Sequence, residues 1–137
     1  MADAFRCTRQ VEFNDTDMAG IAHFTAFFRW MEEAETAFLR TRGLTVLGVW
    51  QGEKVSLPRV SVACDFANPV RFGDVVTIQV VVEKIGRTSL SYVFEFTKDE
   101  QPIARGRITA VFCQNVAGEG LKAREIPAAM RELLQGS

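Results

Sequence analysis

The longest amphipathic stretch of the chain is residues 24–43, FTAFFRWMEEAETAFLRTRG. Wound at about 100° per residue, the α-helical step, Phe24, Phe27, Phe28, Met31, Ala34, Phe38 and Leu39 fall on one broad face. Thr25, Arg29, Glu32, Glu33, Thr36 and Arg40 fall on the other. A wide apolar stripe with a polar back predicts a helix packed on a sheet. No Pro or Gly interrupts it, and Gly43 stands where a helix stops.

The other patterns alternate with a period of two. From Phe5 to Phe13, the odd positions Phe5, Cys7, Arg9, Val11 and Phe13 face one way, with Arg9 the exception in an apolar row. Behind Pro58, Arg59 to Phe66 alternates in the same manner. Asp74 to Ile85 is strongly β-branched, Thr88 to Thr97 alternates, and Ile103 to Val116 is the last long strand. Short turns at Gly86-Arg87 and at Lys98 to Pro102 make these three an antiparallel meander. Leu44 to Leu57 has no regular pattern and carries a Trp50 that reads as exposed. After a Gly-rich linker, Ala117 to Gly120, Pro127 opens a short helix with Met130, Leu133 and Leu134. The predicted architecture is one α+β domain over residues 1–137, with one long helix against a five-stranded antiparallel sheet. Five strands leave edges open, and pairing sheets between subunits would cover them.

Composition narrows the function classes. The 137 residues are 47% apolar and 24% charged, with net charge −1. That balance offers no basic field for nucleic acid. No apolar run approaches the roughly 20 residues of a membrane span, and the first ten residues lack an apolar signal segment. A cytoplasmic protein without nucleic-acid or membrane partners is the expectation. Cys7, Cys64 and Cys113 are widely spaced with no CxxC. They are expected to be reduced and mostly buried, with no metal site.

The loop before the long helix, NDTDMAGIAH, concentrates the polar chemistry. The first turn of a helix has unpaired N–H groups and partial positive charge, so a carbonyl oxygen placed there is polarised. A carboxylate upstream can curl back beside that carbonyl and attack it or activate water. Gly20 supplies the backbone freedom for the reversal. The same residues also fit a simpler role, Asp15 or Asp17 making an Asx-turn and Gly20 a bend. His23 is the lone histidine, and no nucleophile-elbow motif accompanies it. Glu35 lies within the apolar arc of the helix, where a carboxylate needs a partner or a raised pKa.

The stretch FNDTDMAGIAHFTAFFRWMEEAETAFLRTRGL resembles the signature of the 4-hydroxybenzoyl-CoA thioesterase family, D-x-D-x-x-G-I/V followed by a long central helix. Cys64-Asp65-Phe66, Pro69 to Asp74 and Glu83 to Ser89 resemble it too, so the likeness spans nearly the whole chain. The resemblance implies a hotdog fold, hydrolysis of an acyl-CoA thioester without cofactor, and a homo-oligomer, dimer or tetramer, that pairs its sheets between subunits. By position, Asp17 matches the catalytic carboxylate, Gly20 the loop glycine, and Phe24 the residue whose backbone N–H binds the thioester oxygen. The family often has an aromatic residue before the helix and an Asn soon after. Here His23 and Ala26 stand at those places. Some related hotdog enzymes carry their catalytic carboxylate on the helix, which makes Glu35 the second candidate. The phosphates of CoA call for cations at the pocket mouth, and Arg59, Arg71, Lys84 and Arg87 are the candidates. Two other readings stay open: a non-catalytic acyl-CoA-binding module, and a dehydratase, whose His-Phe-Pro-Gly-like context is missing.

Overall fold

The computed structural model describes residues 4–136. In chain order the elements are β1 (Phe5–Gln10), α1 (Ala26–Thr41), β2 (Leu47–Trp50), β3 (Glu53–Ser56), β4 (Arg59–Phe66) and β5 (Val75–Ile85). Then come β6 (Ser89–Lys98), β7 (Gln101–Val111), β8 (Cys113–Val116), β9 (Gly120–Ala123) and α2 (Ala128–Gln135). Five strands form one antiparallel sheet in the order β1-β5-β6-β7-β4, and α1 packs on it.

Side-chain size explains how the helix seats. Phe27, Trp30, Met31, Ala34, Phe38 and Leu39 are buried against Val76, Ile78 and Val80 of β5 and Leu90, Tyr92, Phe94 and Phe96 of β6. Each large side chain so buried contributes about 2 kcal/mol. On β7 the residues opposite Phe96 and Phe94 are Ala104 and Gly106. A Cβ at Gly106 would run into the Met31 sulfur, so the glycine makes the space for the helix. Arg9, the polar exception in β1, lies over the Trp30 ring at 5.9 Å and pairs with Glu33 at the surface.

Several expectations need correction. The helix begins at Ala26, so Phe24 sits in the preceding turn, 59% exposed and outside the apolar face. Trp30, which the wheel left unassigned, is fully buried. The last long strand is two strands. At Phe112 the chain leaves the main sheet, its N–H donating to Thr88 O at 2.7 Å and its carbonyl accepting from Arg124 N–H at 2.9 Å. Beyond that point β8 joins a second antiparallel sheet of order β2-β3-β8-β9. The irregular Leu44–Leu57 segment is therefore mostly a hairpin, and the Gly-rich linker is the turn between β8 and β9. Each of these strands has four residues, too few to display an alternation. Gln51 and Gly52 both have positive φ (50° and 85°), the conformation that closes a two-residue hairpin. Trp50 packs against the core instead of standing exposed. No helix among the described residues is long and apolar enough to cross a membrane.

Candidate active site

Residues 15–23 fold back on themselves as a narrow hairpin. Asp15 O accepts the His23 N–H at 2.7 Å, Thr16 bridges to Ala22, and the Asp17 N–H donates to Ile21 O at 2.9 Å. At the tip the Gly20 N–H donates to Asp17 O at 3.0 Å. Gly20 itself has φ +80°, the left-handed residue that converts a tight turn into a bulged hairpin. The return arm docks on the chain before β5: Ala22 N–H donates to Val70 O at 2.8 Å, and Ile21 bridges to Arg71.

The base of the hairpin is held by a carboxylate that sequence patterning did not single out as an anchor. Asp15 is 1% exposed. Its Oδ1 accepts from Arg29 Nη2 of α1 at 2.7 Å, and its Oδ2 from the Glu12 N–H at 2.8 Å and Arg9 Nη2 at 3.4 Å. Three elements are thereby tied to one buried charge. Arg9 in the apolar row of β1 was the available signal, because a cation there needs an acceptor.

Asp17 sits at the start of the hairpin tip, half-exposed. Its Oδ1 accepts the Ala19 N–H at 2.8 Å, the Asx-turn its sequence context allowed. Its Oδ2 has no partner among the described residues. On the return arm the His23 ring takes the helix start: the Thr25 N–H donates to Nδ1 at 3.1 Å, and the Thr25 hydroxyl lies 2.7 Å from the same nitrogen. The imidazole stacks on the Phe24 ring at 4.6 Å. Ala26 N–H donates to His23 O at 2.9 Å. Between these bonds, the Phe24 N–H meets no acceptor among the described residues. An open carboxylate oxygen at the tip of the hairpin and an open N–H just past its return arm, before the helix start, thus belong to one folded segment. That pairing can bind a carbonyl oxygen and deliver a base or nucleophile.

Glu35 has different surroundings. It is fully buried, and its Oε1 accepts from Arg59, whose guanidinium also lies 3.7 Å from the Glu32 carboxylate. Burial raises the Glu35 carboxyl above the usual carboxylate range, with Arg59 opposing the shift. The fully buried Tyr92 phenol adjoins it and is pushed well above its ordinary value by burial and then by the Glu35 charge. Neither Glu35 Oε2 nor the Tyr92 hydroxyl completes a hydrogen bond of normal geometry. Glu35 and Arg59, read from sequence as separate candidates, are partners of one another.

The other cations separate. Arg71 bridges to the hairpin through its backbone, and its guanidinium lies over Gly20, 3.9 Å from where a Cβ would stand. Lys84 and Arg87 are exposed at the β5–β6 turn, the opposite end of β5. The ten residues from Val75 to Lys84 span about 30 Å of strand. No group of His, Cys, Asp and Glu among the described residues is placed to hold a metal ion.

With this arrangement in view, likeness to other proteins becomes informative. The sequence model of the thioesterase-like superfamily matches residues 11–134, from just after β1 into α2. The chain belongs to the thioesterase-like superfamily. Its hairpin, its helix start and four of the five strands of the main sheet fall inside the matched region. A 1,4-dihydroxy-2-naphthoyl-CoA hydrolase of Prochlorococcus marinus (strain MIT 9303) is 35% identical over 107 residues, 73% of this chain and 71% of the relative. The solved 4-hydroxybenzoyl-CoA thioesterase of Pseudomonas sp. strain CBS-3 superposes with a TM-score of 0.80 at 28% identity, covering 96% of this chain and 99% of that one. A 1,4-dihydroxy-2-naphthoyl-CoA thioesterase from Synechocystis gives a TM-score of 0.85 at 23% identity over 98% and 97% of the two chains, a likeness of fold. The hotdog architecture inferred from the sequence is the one observed.

Proposed function

We propose that this thioester hydrolase cleaves aryl-CoA thioesters to the free aromatic acid and CoA, with Asp17 as the reacting carboxylate. The observation that carries the reading is the hairpin. Its cross-strand bonds, Asp15 O to His23 N–H and Asp17 N–H to Ile21 O, fix the turn carrying Asp17 against the return arm that leads to the Phe24 N–H. The thioester oxygen binds at Phe24 N–H and the positive end of α1, which stabilises the charge that develops on it. Asp17 then attacks the carbonyl carbon, or takes a proton from a water that attacks. The carbon–sulfur bond breaks and CoA leaves as the thiol after protonation. In the first case water hydrolyses the resulting anhydride. His23 supports the helix start through Thr25 and leaves the proton transfer to Asp17. The aromatic acyl class is supported by the relatives above, whose names specify naphthoyl and hydroxybenzoyl thioesters.

The same reading makes the working form a homo-oligomer, a dimer or a tetramer. Strand β4 is an unpaired edge of the main sheet, with Val60, Val62 and Phe66 exposed on it. Phe13, Met18, Phe24 and Phe72 are exposed around the hairpin. Lys84 and Arg87 lie too far along β5 to serve the Asp17 of their own chain, so a second chain would bring them, or Arg71 would stand alone at the mouth. The decisive test is thiol release from a panel of short aliphatic, long aliphatic, 4-hydroxybenzoyl and 1,4-dihydroxy-2-naphthoyl CoA esters. Preference for the aromatic esters is expected. Preference for aliphatic ones would overturn the substrate class, and inactivity on all would leave a binding module.

A further inference from the structure

The turn between β5 and β6 has an unusual division of its backbone groups. All four carbonyls from Ile85 to Thr88 are bonded, and every one of the bonds comes from the C-terminal part of the chain. Arg131 of α2 donates from Nη1 to Ile85 O at 3.2 Å and from Nη2 to Gly86 O at 3.0 Å. Ile126 N–H donates to Arg87 O at 2.8 Å, and Phe112 N–H to Thr88 O at 2.7 Å. Inside the turn, Gly86 N–H donates to Ser89 O at 2.8 Å. A Cβ on Gly86 would come within 2.6 Å of Ser89 Oγ, so a side chain there would push that hydroxyl aside.

What remains on the other side is donors. The N–H groups of Arg87 and Thr88 meet no acceptor among the described residues. Lys84 and Arg87 are exposed beside them; Arg87 has only the surface Glu125 at 3.9 Å. A β-bulge between Val82 and Lys84 sets the strand for this, and Glu83 within it is drawn aside into a two-bond pair with Arg107 at 2.9 and 3.0 Å. Successive N–H groups flanked by cations attract a phosphate.

We propose that Arg131 is a positioning residue for coenzyme A: its guanidinium clamps the β5–β6 turn from behind, so that the turn offers N–H groups, Lys84 and Arg87 to the nucleotide phosphates. The proposal rests on the acyl-CoA reading above and adds the residue that holds the phosphate side of the site in shape. A guanidinium suits this work because its planar fork reaches two adjacent carbonyls at once, whereas an ammonium is a single point.

The experiment uses the full chain and two thioesters of the same acyl group, the best CoA ester of the panel and its N-acetylcysteamine counterpart, which lacks the nucleotide. For Arg131→Ala, KM for the CoA ester should rise about tenfold with kcat nearly unchanged, the pattern of lost uniform binding. Its kcat/KM on the N-acetylcysteamine ester should stay at the wild-type value. Arg131→Lys should fall between wild type and Arg131→Ala, and it decides the matter if the alanine variant does not fold. Equal losses on both esters would mean that Arg131 acts only on the fold, and no change on either would remove it from the site; both overturn the proposal. If Lys84→Ala or Arg87→Ala raises KM while both Arg131 variants match wild type, the acyl-CoA reading stands and this inference falls. A wild type inactive on every CoA ester would instead sink the acyl-CoA reading, and this inference with it.

Discussion

Two carboxylates on one helix-centred scaffold, Asp17 at the hairpin and Glu35 in the middle of α1, differ in nearly every respect that decides chemical use. Asp17 is half-exposed with one oxygen open, and it shares its hairpin with an unpaired N–H at a helix start. Glu35 is sealed in the core, bound by Arg59 and beside Tyr92. Burial raises the Glu35 carboxyl above the usual carboxylate range. That shift does not by itself mark a catalytic group, because a buried ion pair perturbs titration as readily as a catalytic site does. Reach to substrate and a donor for the developing oxyanion discriminate better.

The largest expected effect tests that contrast directly. Asp17→Asn should lower kcat at least about a hundredfold while leaving fold and KM in place. Glu35→Gln should retain most of the activity. Finding the reverse in steady-state kinetics would transfer the chemistry to the helix.

Next comes stability. Arg59→Met leaves Glu35 buried without its cation and should cost about 2 kcal/mol near neutral pH, less than breaking a fully buried pair because Arg59 keeps some contact with solvent. The sign of its pH dependence follows from the raised carboxyl. A folded pKa above the ordinary 4.5 means that the folded chain holds the proton more tightly than the unfolded one. The contribution to stability is then best below that value and declines as pH rises through the raised one. Arg59 limits this decline, so the gap between wild type and Arg59→Met should widen from pH 4.5 upward in urea unfolding. A gap that narrows with rising pH would show that Arg59 is not what compensates Glu35.

The smallest effect belongs to the hairpin tip. Gly20→Ala places a Cβ on a residue with φ +80° and should cost about 1 kcal/mol. A larger proportional loss in kcat than in thermal stability is expected, since the strain falls where Asp17 is held. Equal losses would mean the hairpin tip matters only for folding.

How much of this was legible beforehand follows from how local each feature is. The long helix and the five strands of the main sheet announced themselves, because periods of 3.6 and 2 over eight or more residues mark which side chains must leave water. The alternation after Pro58 coincides with β4, Arg59–Phe66. Turn chemistry around Asp17 and Gly20 was also visible, since the hairpin closes within nine residues. The second sheet was not, because four-residue strands carry no period.

Periodicity along the chain determined the helix and the main sheet, and turn chemistry the hairpin carrying Asp17, since each is specified by neighbours in sequence. Tertiary structure alone decided the partners of the charges. Arg59 meets Glu35 across 24 residues, Arg29 meets Asp15 across 14, and Arg131 reaches Ile85 across 46. A buried charge must find an opposite charge or a carbonyl, yet its own surroundings in sequence hold no record of which one. Only the packing of α1, β4 and α2 onto the sheet brings that partner within hydrogen-bond distance, and so assigns Glu35 to the core and leaves Asp17 open.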